Sequence, residues 1–95
     1  MTDAQITSIL KSLKVDLGIL STTAYNERLT EIIKSSYQMI VSEGAATLNV
    51  DTLEDAQLVV MYSAWIWRRR DTGEGMPRML RYQLNNRVLG EKANG

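Results

Sequence analysis

At 95 residues, with 44% hydrophobic and 23% charged side chains and no formal net charge, the chain has the make-up of one small globular domain. It contains no cysteine and no histidine. Disulfides, thiolate nucleophiles, thiolate metal sites, the commonest general base and the commonest zinc ligand are therefore all excluded. No clustered acidic motif argues for carboxylate chemistry or an oxygen-ligand metal site, so no catalytic, cofactor-binding or metal-binding residue is expected. The start, Met1-Thr2-Asp3, lacks a basic segment followed by an apolar one, which is the mark of a signal peptide. The expectation is a non-secreted protein that does not enter a membrane.

The reading is helical throughout. Ile6, Ile9, Leu10 and Leu13 fall at helix spacing after Thr2 or Asp3 as a cap, which predicts a first helix over 3–14 closed by Gly18. Ser21-Thr-Thr23 supplies N-cap oxygens for a second helix. Its stripe runs through Tyr25, Leu29, Ile32, Ile33, Ser36, Tyr37 and Ile40 to a stop near Glu43, with Gly44 just past the end. Residues 46–50 form a connector with room for a short extended segment. Asp51-Thr-Leu-Glu54 reads as a capping box that opens a third helix reaching about Arg70.

That third helix carries the most informative stretch, Leu58-Val-Val-Met-Tyr-Ser-Ala-Trp-Ile-Trp67, closed by Arg68-Arg69-Arg70. Ten residues are too few to span a bilayer as a helix, which takes about 20. At about 100° per residue, Leu53, Ala56, Val60, Ala64 and Trp67 share one face, while Leu58, Met61, Tyr62, Trp65 and Ile66 spread over the other. A helix apolar all round is normally buried, and a chain this short has little to cover both sides. The missing cover is expected to be another copy of the protein. Trp65 and Trp67 lie about 200° apart; Trp67, in phase with Val60 and Ala64, is expected inside. Trp65, with Met61 and Tyr62, is expected on the surface until assembly.

Asp71-Thr-Gly-Glu-Gly75 is a polar turn, and Pro77, the only proline, suits the first turn of a fourth helix. Leu80, Leu84 and Val88 line one face of that helix, and Met79, Tyr82 and Leu89 another. Gly90 is expected to stop it, leaving residues 91–95 frayed. The whole is predicted to be all-α: one domain over 1–95, a bundle of about four helices. Its core draws on Ile6, Leu10, Leu13, Leu29, Ile32, Ile33, Tyr37, Ile40, Leu53, Val60, Ala64, Leu80 and Leu84.

The zero net charge hides an asymmetry. Residues 1–67 hold four bases against eight acids, and residues 68–95 seven bases against three acids. Oppositely charged ends can dock on one another in successive copies, or present arginine to phosphate. A solvated helix end accounts for Arg68, Arg69 and Arg70 equally well, since cations complement the C-terminal dipole. Six arginines within twenty residues repel one another, so Arg68, Arg69, Arg70, Arg78, Arg81 and Arg87 are expected to serve assembly more than stability. Trp65, Trp67, Tyr62 and Tyr82 could stack on bases, although aromatics at helical spacing are more often core or interface. A helix-turn-helix reading of the last two helices is weak, because the turn is too long and Met79, Leu80 and Leu84 suit no groove-reading helix. Gly73-Glu-Gly75 lacks the phosphate-loop pattern.

Taken together, the acid-capped apolar helix, Arg68-Arg69-Arg70, Met76-Pro-Arg-Met-Leu-Arg-Tyr-Gln-Leu-Asn-Asn-Arg87 and a late lysine resemble one family. It is the head–tail connector (adaptor, head-completion) proteins of long-tailed phages and of prophages of Gram-positive bacteria. The resemblance covers nearly the whole chain and is sharpest over Met76 to Arg87. It implies a virion protein, made in the host cytoplasm, that forms a homo-oligomeric ring beneath the portal protein. Such a ring extends the DNA channel, passes DNA without reading its sequence and docks the next tail-side protein. It brings no catalytic residues. Met61, Tyr62, Trp65, Arg68, Arg69, Arg70, Arg78, Arg81, Tyr82 and Arg87 are the expected assembly residues. The other function class open to the sequence is a small DNA-binding or regulatory helical protein that uses its basic C-terminal third.

Overall fold

The computed structural model describes residues 1–94: four helices, 73% of the chain, with no strand among the described residues. They are α1 (Asp3–Leu17), α2 (Asn26–Ser42), α3 (Leu53–Thr72) and α4 (Arg78–Asn94). The all-α expectation holds.

Helix α1 begins with a complete capping box. Thr2 Oγ1 accepts the Gln5 N–H at 3.2 Å, and Gln5 Oε1 accepts the Thr2 N–H at 2.8 Å. It runs one turn beyond the predicted end and stops at Gly18, whose φ of 74° only glycine adopts cheaply. Helix α2 starts later than Ser21–Thr23 predict, with Tyr25 as its N-cap and no side-chain cap. The intervening residues coil through backbone turns instead, Thr22 N–H to Ile19 O and Asn26 N–H to Thr23 O. Gly44 follows α2 with φ 128°; a Cβ there would lie 2.9 Å from Cγ1 of Val88, so α4 crosses directly over it.

The expected extended segment over 46–50 is absent. The connector instead makes two tight turns, Leu48 N–H to Ala45 O and Thr52 N–H to Asn49 O, which bury Ala45 and Leu48 in the core. Asn49 Oδ1 accepts the Asp51 N–H, a local turn that competes with extended backbone. The capping box predicted for Asp51 and Glu54 does not form. Thr52 is the N-cap of α3, and the Asp51 carboxylate accepts from Gln5 Nε2 on α1 at 3.0 Å. One residue on, Asp55 does the reaching back, taking the Asn49 N–H at 2.9 Å.

Helix α3 is the centre of the fold and packs on all three others. Its inner line is Leu58, Val59, Tyr62 and Trp65, joined by Ala64. Of the predicted inner face, Ala64 is buried as expected, but the helix is turned: Leu53 is 68% exposed and Val60 and Trp67 are only half-buried, whereas Trp65 is 9% exposed. Elsewhere the predicted core stands at Leu13, Leu29, Ile32, Ile33, Ile40, Leu80 and Leu84, while Ile6, Leu10 and Tyr37 sit at its margin and Ile9 lies inside it.

After Gly73 the chain turns back along α3, where Glu74 O accepts the Trp65 Nε1–H at 3.3 Å. Helix α4 opens with Pro77 O accepting the Arg81 N–H. Gly90 does not end it, and residues 91–94 are helical rather than frayed; Gly95 lies outside the described residues. A glycine inside a helix costs only about 1 kcal/mol. Glu91 is tied to both Arg87 and Thr47, and these bonds hold the last turns down.

Helices α1 and α3 run parallel: Gln5 meets Asp51 at one end and Asp16 meets Arg68 at the other. The molecule measures 41 × 31 × 17 Å.

Candidate functional site

The ten expected assembly residues separate into three groups. Tyr62 and Trp65 belong to the core, packed edge to face with centroids 5.5 Å apart, which corrects their expected exposure. Burial, helped by Glu43, pushes the Tyr62 phenol above its ordinary pKa. Met61 is half-buried beside α1.

The second group is arginines spent on the chain's own acids. Arg87 Nε lies 2.9 Å from Asp55 Oδ1 and Arg87 Nη1 2.9 Å from Glu91, while Arg87 Nη2 donates to Asp55 Oδ2 and Thr47 Oγ1. The hydrogen bonds to Asp55, then Glu91, raise the Arg87 pKa still further. Hydrogen bonds from Thr47, then Arg87, hold Glu91 below the ordinary glutamate value. Arg81 pairs with Glu43 at 3.0 Å, and Arg68 with Asp16 at 3.4 Å. Arg87 therefore ties α4 to α3 by pairing with a buried carboxylate.

The third group is exposed and available. Arg69 lies over the Trp65 ring at 4.7 Å and Arg70 over Trp67 at 3.8 Å, while Trp67 meets Tyr25 edge to face at 5.2 Å. A guanidinium over an indole is held near the surface and can still meet another partner; Arg70 Nη2 also lies 4.0 Å from Asp71 Oδ2. Arg69 and Arg70 share a shallow hollow with Arg28, Ile66 and Glu74. Arg78 and Tyr82 are exposed on α4.

Two further surfaces stand open. One is an open groove of about 660 Å³ between α1 and α3, with Val15 and Leu53 exposed in it and Asp16 and Asp51 on its rim. The other is the outer face of α4, where Met79, Tyr82 and Leu89 are each more than 60% exposed. Met79, Tyr82 and Leu89 were legible as a face of α4. The groove was not, because it uses the α3 residues whose periodicity argued for core. Among the described residues, no cluster of acids has the arrangement of a metal site.

No family model matches the chain, and no curated protein or solved structure matches it either.

Proposed function

We propose that this protein is a non-enzymatic structural subunit of a phage head–tail connector, forming a ring under the portal protein that extends the DNA channel and receives a tail-side protein. The observation that carries the proposal is the apolar surface left open on two separate faces of a thin molecule. Five of the nine large hydrophobic side chains exposed among the described residues sit on these faces: Val15 and Leu53 on one, Met79, Tyr82 and Leu89 on the other. Contiguous apolar patches on small proteins mark contacts with other macromolecules. Two unlike faces suit heterologous contacts, which close into a ring when the rotation allows. The pattern over Met76 to Arg87 supplies the family expectation. Deleting the gene from a phage or prophage that carries it tests the reading: DNA-filled or leaking heads without tails are expected, and full-titre tailed particles would overturn it.

A second reading has its own support in Arg28, Arg69 and Arg70, which line one hollow and can contact nucleic-acid phosphate. On that reading the chain is a DNA-binding or regulatory protein. Its mark is affinity of the purified protein for duplex DNA that falls steeply with salt and is lost when Arg69 and Arg70 are changed to Gln.

A further inference from the structure

We infer that the groove between α1 and α3 is the receptor for α4 of a second copy of this chain, which seats its outer ridge there. The inference rests on the self-assembling reading above and names the two surfaces that meet.

The ridge has the spacing of a docking helix. Met79, Tyr82, Asn86, Leu89 and Ala93 follow one another at three, four, three and four residues, the interval of a helix seam that packs on other helices. Among the described residues no partner covers it: Leu80, Leu84 and Val88 face inward, while Met79, Tyr82 and Leu89 are 63%, 63% and 61% exposed. Aromatic and methionine side chains are the types enriched at protein contacts.

The groove has the complementary form. Its α1 wall carries Ala4, Ser8 and Ser12 at four-residue intervals, small side chains that let another helix approach closely. Its α3 wall carries Leu53, Ala56 and Val60. Asp55, which binds α4 of the same chain, lies about 100° to 160° round α3 from these three. Groove and ridge thus open on different sides of the molecule, and one copy cannot satisfy both with itself.

Charge matches at the Asp51 end. Asp51 and Asp16 stand at the two ends of the groove, about 17 Å apart along α1 as judged from Gln5, the residue that Asp51 meets. Arg78 and Lys92 stand at the two ends of the ridge, about 21 Å apart along α4. Among the described residues no base lines the groove, but Arg68 reaches Asp16 at 3.4 Å, whereas Asp51 has only the uncharged Gln5 as a partner. Seated in the groove, the ridge places Arg78 or Lys92 near Asp51 and buries the apolar residues between the two ends.

The test uses two variants that alter only exposed side chains. Leu53→Glu spoils the groove and spares the ridge; Tyr82→Glu spoils the ridge and spares the groove. Circular dichroism confirms that each still folds, and sedimentation velocity over a concentration series reads assembly. The purified wild type is expected to form oligomers, each variant alone to be monomeric, and the mixture to give a one-to-one dimer that grows no further. Only a heterologous contact between these two faces gives that last result. Wild-type oligomers unchanged by either substitution would overturn the pairing and leave the self-assembling reading intact. A wild type that stays monomeric at millimolar concentration, and in the presence of portal rings, would overturn both.

Discussion

Arg87 on α4 grips Asp55 on α3 through two nitrogen–oxygen contacts, 2.9 and 3.4 Å, and the same guanidinium reaches Glu91 at 2.9 Å. Asp55 is buried, and Arg87 is the cation that faces it. Removing one member of a buried pair costs about 3 to 5 kcal/mol; the partial exposure of Arg87 lowers that to roughly 2 to 3. Arg87→Met should reduce the urea-unfolding free energy by that amount, while Arg78→Gln should change it by less than about 0.5 kcal/mol. Equal effects would mean that the pair does not hold α4 in place. A triple Arg78, Arg81 and Arg87 substitution is accordingly a stability variant rather than a clean probe of assembly.

Glu91 gives the same network a pH dependence. Its folded pKa lies below the ordinary 4.5, chiefly through Thr47 and then Arg87. A depressed carboxylate pKa contributes stability that is present above the unfolded value and lost as the pH falls through the folded one. The stability gap between wild type and Glu91→Gln should therefore be constant near neutral pH and close as the pH drops below about 4.5. A gap that persists through strongly acid solution contradicts the assignment.

Gly44 is where α4 crosses the end of α2. Its φ of 128° disfavours any side chain, and a Cβ would press on Val88 at 2.9 Å. Gly44→Ala should destabilise the protein by about 1 to 3 kcal/mol. Adding Val88→Ala should recover only the steric part, because backbone strain remains. Thermal unfolding of the single and double variants separates the two, and an unchanged melting temperature for Gly44→Ala would refute both.

Ser63, on the buried face of α3, has a hydroxyl without a hydrogen-bond partner, as does Ser36 on α2. An unpaired buried polar group costs about 1 to 3 kcal/mol. Ser63→Ala should therefore be neutral or stabilising by up to about 1 kcal/mol in denaturant unfolding. A loss larger than that would point to a partner for the hydroxyl.

The number of helices, the Gly18 stop and the inner faces of α2 and α4 were legible because each rests on a local signal. A left-handed glycine, a 3.6-residue stripe and Leu80 with Leu84 need no tertiary knowledge. The orientation of α3 was not legible. With apolar residues on every side, its periodicity gives no phase, and the choice falls to long-range bonds: Asp55 to Arg87, Asp51 to Gln5, Trp65 to Glu74. Asp51 and Glu54 had the spacing of a capping box, yet Gln5 took the Asp51 carboxylate. Gly90 looked like a stop because Glu91's ties to Thr47 and Arg87 cross 44 and four residues, and only the latter is visible on one helix. At the site, the sequence marked the arginines without distinguishing Arg87, which holds the fold, from Arg69 and Arg70, which lie on indoles at the surface.

Labelling tests the proposed place of this protein in a phage particle directly. An epitope on the C-terminus, with antibody–gold electron microscopy of purified tailed particles, reads its position. Label confined to the vertex where capsid meets tail is the expected result. Infectious particles that carry no label, with the tagged protein found only free in the lysate, would contradict it.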